Sequence, residues 1–187
     1  MWLCASKYVC NGGRVVVFFG DKRTFAVEVG DWVGSALRRV DLWVADQWVT
    51  CDDNLAFVSQ FRIAVRDTAL RLRTGQGSSL PFAGLSPVAT HQRLLAGIER
   101  LDDDGELGQR SWFFEGWGPT TDNVLAFIFT EGDNAVVTLQ FWREEHLRMH
   151  PEHVGTVLTL EIPVGELAGV LEDLAAVLDR EDPPAVS

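Results

Sequence analysis

Three histidines, His146, His150 and His153, stand among Glu144, Glu145 and Glu152 and form the sharpest chemical cluster in the chain. On one continuous helix their i, i+4, i+7 spacing would carry all three imidazoles on one side, as a metal ion requires. Pro151 interrupts the run, and Leu147-Arg148-Met149 separates the first two histidines where a metalloprotease has the HExxH signature. The sequence therefore favours a polar connection between two strands, with solvated histidines, over a metal site. No cofactor is expected.

The remaining titratable groups offer weaker signals. His91 falls in the first turn of a segment with an apolar stripe and reads as a surface histidine. A pair between His91 and Cys51 or Asp53 stays open, because tertiary neighbours are invisible in sequence. Gly75-Gln76-Gly77-Ser78-Ser79 lacks the Gly-Lys-Ser/Thr ending of a phosphate loop and reads as a flexible linker. Asp102, Asp103, Asp104 and Glu106 share only composition with a calcium loop, so a solvated acidic loop is expected. No G-x-S-x-G elbow occurs. Arg62, Arg66 and Arg73 lie near one face of a helical pattern and are expected to pair with surplus carboxylates.

The segment Trp112-Phe113-Phe114-Glu115-Gly116-Trp117 reads as a strand carrying the best recognition candidates. Side chains alternate along a strand, so Trp112 and Phe114 point one way and Phe113 the other. Either two layers cover them or some rings are displayed, and packing on both faces is favoured because aromatic rings routinely fill cores. Where rings are displayed they are anchors for a partner, since Trp is favoured at binding hot spots. The partner-contact set is Trp112, Phe113, Trp117 and Trp142, together with the helix carboxylates Glu166, Glu172 and Asp173.

The elements that must position these groups are legible in the apolar periodicity. Val15 to Phe19, Thr24 to Val29, Val40 to Val44 and Trp48 to Thr50 read as short strands, with a further one over Leu3 to Val9. Ser35 to Arg39 reads as a helical turn. Asp52-Asp53-Asn54 reads as the cap of a helix over 55–72, and Ser86-Pro87 opens a second one with Leu94, Leu95, Ile98 and Leu101 on its apolar side. After the acidic loop, strands over Val124 to Thr130 and Ala135 to Trp142 flank Glu131-Gly132-Asp133-Asn134. Another strand, over Gly155 to Ile162, leads into a helix from Val164 to Arg180, with Val164, Leu167, Leu171, Leu174 and Leu178 on one side.

This pattern predicts an α+β fold, mainly antiparallel sheet with about three helices, the last acidic and amphipathic. At 187 residues it fits one domain, or two lobes, 1–101 and 108–182, sharing a core, with a frayed tail over 183–187. The net charge of −11 disfavours nucleic acid and anionic membrane surfaces and favours a basic protein partner. Three cysteines without a CxxC pair, no basic n-region and no long apolar run point to a reduced, cytoplasmic protein.

Leu42-Trp43-Val44, Trp48-Val49-Thr50-Cys51-Asp52-Asp53-Asn54, Phe141-Trp142-Arg143 and Glu161-Ile162-Pro163 give the chain a layout that resembles the immunity proteins of bacterial polymorphic toxin systems. The resemblance implies a non-enzymatic inhibitor that plugs or distorts a cognate toxin. An alternative is a small enzyme or ligand binder with a cleft between sheet layers and helices, using His91, Asp53 or the His146 cluster. A third reading, a homodimer subunit, predicts an apolar patch at a sheet edge.

Overall fold

The structure, a computed structural model, describes residues 7–11, 14–76 and 79–180, with side-chain detail from residue 16 onward. The start of the strand expected at Leu3, Cys4 and the tail over 183–187 lie outside the described residues. The first sheet is antiparallel: β1 (Lys7–Asn11), β2 (Arg14–Gly20), β3 (Phe25–Val33), β4 (Leu37–Val44) and β5 (Gln47–Trp48) follow in order. A short strand, β6 (Leu55–Phe57), also pairs with β4. The register sets Phe25 opposite Val44, Val27 opposite Leu42 and Val29 opposite Val40, so the inward side chains of both strands meet in the core.

The second sheet is the antiparallel meander β7 (Val124–Glu131), β8 (Asn134–Phe141) and β9 (Leu158–Pro163). Its two faces have different covers. Val124, Ala126, Ala135, Val137, Leu139, Phe141, Leu160 and Ile162 join the main core with the inward residues of the first sheet. Phe127, Phe129 and Val136 face the other way and pack with Leu94 of α2 (Pro87–Arg100). A sheet covered on both faces explains why β7 reads Val-Leu-Ala-Phe-Ile-Phe without polar alternation.

Helices α1 (Val58–Arg73) and α5 (Val164–Arg180) cover the main core. Leu167, Leu171, Leu174 and Leu178 of α5 are buried, on the spacing expected. Asp179 of α5 pairs with Arg62 (2.9 Å) and Arg66 of α1, and Glu172 takes a two-pronged contact from Arg73 at 2.8 Å on both nitrogens. These pairs are partly solvated, so each is worth at most about 1 kcal/mol, and apolar burial holds the helices together.

Several expectations change. Among the described residues there are five α-helices rather than about three. Asp102–Arg110 is no loop: Asp102 caps α3 (Asp103–Arg110) by accepting from the Gly105 N–H at 3.2 Å. A Cβ on Gly105 would lie 2.5 Å from the Gly97 carbonyl oxygen, so two glycines let α2 and α3 touch. The fourth helix is α4 (Glu144–Met149). The 55–72 helix begins at Val58 instead, after β6, with no side-chain cap. Ser35 to Arg39 forms a hairpin turn and the start of β4 rather than a helical turn. Trp112–Trp117 is not a strand; Trp112 makes one bridge to Phe127, and the chain then turns through Gly116 at φ 75° and Gly118 at φ 88°.

His91 is buried rather than exposed, with its Nδ1 2.9 Å from the Thr138 hydroxyl and its ring edge-on to Phe127. Burial pushes its imidazole down to about 4. The unfolded chain therefore takes up a proton near the ordinary histidine value while the folded chain does not, so stability is full above about pH 6.5 and falls as pH drops toward 4. Urea titrations should lose about 3 kcal/mol over that window from this residue. His91→Leu should flatten the slope by that amount, whatever its absolute stability; an unchanged slope would contradict the burial.

Candidate functional site

The residues that could do chemistry converge at the open end of the β7–β8 hairpin. Cys51 and Asp52 follow β5, Asn123 immediately precedes β7, and Phe141 ends β8 just before α4. The α4 helix is only six residues long and breaks at Pro151, which opens a 3-10 turn over Pro151–His153. Even so the three imidazoles gather: between ring centres His146 lies 4.8 Å from His150 and 5.1 Å from His153, which it meets edge to edge. The expectation of solvated histidines fails for His146, whose side chain is 1% exposed and lies flat on Phe141 at 4.1 Å. His150 keeps solvent contact and sits 3.3 Å from Glu152.

His146 is held from both sides. Its Nδ1 lies 2.9 Å from Asp52 Oδ2 and 3.1 Å from Oδ1, and its Nε2 lies 2.8 Å from His153 Nδ1. Asn123, itself buried, donates from Nδ2 to Asp52 Oδ2 and to the Val49 carbonyl, both at 2.9 Å. Burial opposes ionisation of Asp52, but the hydrogen bonds from Asn123 and His146 outweigh it and hold the carboxyl below its ordinary value. An ionised carboxylate only accepts, so His146 Nδ1 carries the proton and donates it; a neutral His146 then accepts at Nε2 from His153. Burial lowers the His153 imidazole.

Cys51 Sγ lies 3.8 Å from the same Nδ1 that Asp52 engages. In a nucleophile–base–carboxylate relay, the thiol and the acid occupy opposite ring nitrogens. Here they share one. Burial, with the Asp52 charge adding to it, pushes the thiol up to about 11, which leaves it protonated at neutral pH. What the cluster does offer is a sulfur, a carboxylate oxygen and an imidazole nitrogen all within 4.8 Å of one another, a donor set suited to a divalent metal.

The sequence groups His146 with His153 but does not join either to Asp52, Asn123 or Cys51. In sequence Asp52 reads as part of a helix cap; Asp53 takes a related turn role instead, accepting from the Leu55 N–H at 2.9 Å, which frees Asp52 to reach across the fold. Asp53 and His91, the other titratable candidates, do not join the cluster. A second acid next to a sufficient one was the available signal.

Beside the cluster runs a groove of about 630 Å³, bordered by Trp112, Phe114, Pro119, Trp142 and Arg143. Trp142 is 50% exposed, while its backbone N–H donates to the Asn123 carbonyl at 3.2 Å. Arg143 is anchored on the Asp122 carbonyl at 3.1 Å. A second concavity continues past Gly116 along α1, where Ile63 is exposed. Two of the four aromatic candidates are withdrawn from this surface. Phe113 and Trp117 are core residues, Phe113 packed on Phe25 and Trp117 on Phe61, with Trp117 Nε1 donating to Thr68 Oγ1 at 3.2 Å. Trp112 is half-buried. On α5, Glu166 is exposed, Glu172 is engaged by Arg73, and half-buried Asp173 has its carboxyl raised by burial and then by the Glu172 charge.

Removing Asn123 tests the framework of the cluster. Asn123→Ala should cost about 1–3 kcal/mol in urea unfolding, because it strips the buried Val49 carbonyl and Asp52 of a donor. A loss within the error of the measurement would mean that neither group depends on it.

No protein-family model matches this sequence, and no curated protein matches it. Among solved structures, the fold is similar to that of CdiI, an immunity protein, from Burkholderia dolosa AUO158, with a TM-score of 0.51 over 86% of this chain and 99% of that one. Identity between the two is 12%, so the likeness is one of fold.

Proposed function

We propose that this protein is an immunity protein: it binds a toxin polypeptide and neutralises it by occupying its surface rather than by chemistry. The observation that carries this reading is the fold shared with CdiI across nearly the whole of that chain. The contact surface in this proposal is the groove beside Trp142, extended along the exposed side of α1. Trp142 is half-exposed on a backbone fixed by Asn123, so a large apolar ring is presented with little conformational freedom left to lose on binding. With a net charge of −11, the chain attracts a basic partner at long range. No helix among the described residues is long and apolar enough to cross a membrane, in keeping with a partner met in solution. The acids of α5 contribute to steering; Glu166, exposed, is better placed for it than Glu172, which Arg73 already engages.

The experiment is co-expression with the product of each gene adjacent to the one for this chain, scored by rescue of growth from any that is toxic, together with binding of the purified pair. The wild type is expected to restore growth and to bind more weakly as salt rises. Trp142→Ala should lose about 2 kcal/mol of binding, roughly thirtyfold, with its unfolding curve unchanged. Failure of the wild type to protect or to bind overturns the function; protection with an unaffected Trp142→Ala overturns the surface.

A further inference from the structure

The groups beside that surface carry a second inference, independent of any partner. We infer that Cys51, Asp52 and His146 bind a single divalent transition-metal ion, of which zinc fits the donor set best. Around a tetrahedral zinc, with bonds of about 2.0 Å to nitrogen or oxygen and about 2.3 Å to sulfur, ligand atoms stand roughly 3.3–3.6 Å apart. Two of the three separations bracket that value, 3.8 Å from Cys51 Sγ to His146 Nδ1 and 3.1 Å from His146 Nδ1 to Asp52 Oδ1, and all three donors lie within 4.8 Å of one another. Side-chain rotation that draws the sulfur and the carboxylate in from within 4.8 Å to that spacing admits the ion. Sulfur and imidazole donors select zinc and its neighbours over calcium or magnesium, which take oxygen.

The surroundings match what a ligand set needs. Metal-bound histidines hand their second nitrogen to a fixed acceptor, which sets the ring's tautomer. His146 Nε2 has that acceptor in His153 Nδ1 at 2.8 Å, and Phe141 stacks under both rings. Asn123 Nδ2 grips Asp52 Oδ2 at 2.9 Å and leaves Oδ1 to share or yield. The set differs from the three-histidine site that spacing alone suggested. His150 and His153 are not ligands here: His153 orients, and His150 stands outside.

The proton balance is explicit. The ion displaces the thiol proton of Cys51, which leaves to solvent. The Nδ1 proton of His146 is displaced while Nε2 gains the one that His153 Nδ1 gives up, and His153 takes a proton back at its other nitrogen. Neutral histidines remain neutral, so each ion releases one proton. Three protein ligands leave a fourth position for water. The ion would clip the segment after β5 to α4, joining parts of the chain 94 residues apart.

The test uses the full chain carrying Cys4→Ser and Cys10→Ser, so that Cys51 is its single thiol. Titration with zinc against a chromophoric chelator should give one equivalent, and cobalt(II) should produce a thiolate-to-metal charge-transfer band. Cys51→Ser should abolish the band and weaken zinc at least tenfold; His150→Gln should change neither. Should Cys51→Ser fail to fold, X-ray absorption at the zinc edge of the single-thiol protein decides the matter, with one sulfur and at least one imidazole expected. No stoichiometric binding, a shell without sulfur, or loss of binding in His150→Gln with Cys51→Ser unaffected would overturn the site and mark the binding as a surface histidine effect. None of these outcomes bears on whether the protein neutralises a toxin.

Discussion

Two sheets in this chain each need their apolar face removed from water, and α5 supplies much of the cover. Leu167, Leu171, Leu174 and Leu178 belong to the same buried cluster as Val27 and Leu42 of the first sheet and Val137 and Ile162 of the second. Each fully buried leucine contributes about 2 kcal/mol of transfer free energy, so four of them outweigh the partly solvated pairs of Asp179 and Glu172 with α1. Because both sheets share this cover, their relative placement is set, and with it the meeting of Asp52 with His146. The polar cluster depends on the apolar core, not the reverse.

That dependence explains what could be read in the sequence. Helix α5 was legible to the residue because its leucines recur at helical spacing and Pro163 stops the strand before it. The β7–β8 hairpin was legible from its β-branched runs around Gly132, whose φ of 59° suits a tight turn. Local signals misled where tertiary contacts overrode them. Asp102 to Gly105 has the composition of a loop, yet Asp102 caps a helix whose glycine presses against another. The aromatic run at Trp112 has strand-like residues, yet Gly116 and Gly118 turn it so that Phe113 and Trp117 enter the core.

The candidate site was half legible. Three histidines close together were conspicuous, but their chemistry is set by a carboxylate far away in the chain. Spacing placed the imidazoles together and could not say that His146 is buried against Phe141 with Asp52 on Nδ1. His91 shows the same limit in reverse. A histidine at a helix start is usually wet, and only the packing of α2 on Phe127 and Thr138 makes it dry.

The cluster and the groove are mechanically one place. Asn123 uses its side chain to hold Asp52 and its backbone carbonyl to hold the Trp142 N–H. Phe141, the residue before Trp142, lies against His146 and His153. Whatever tightens the ligands of His146 therefore also narrows the positions open to the exposed indole next door. An anchor presented on a rigid backbone loses less entropy on docking than one on a mobile loop. In the complex we propose, the buried polar cluster would thus serve recognition without touching the partner, by deciding how firmly Trp142 is presented to it.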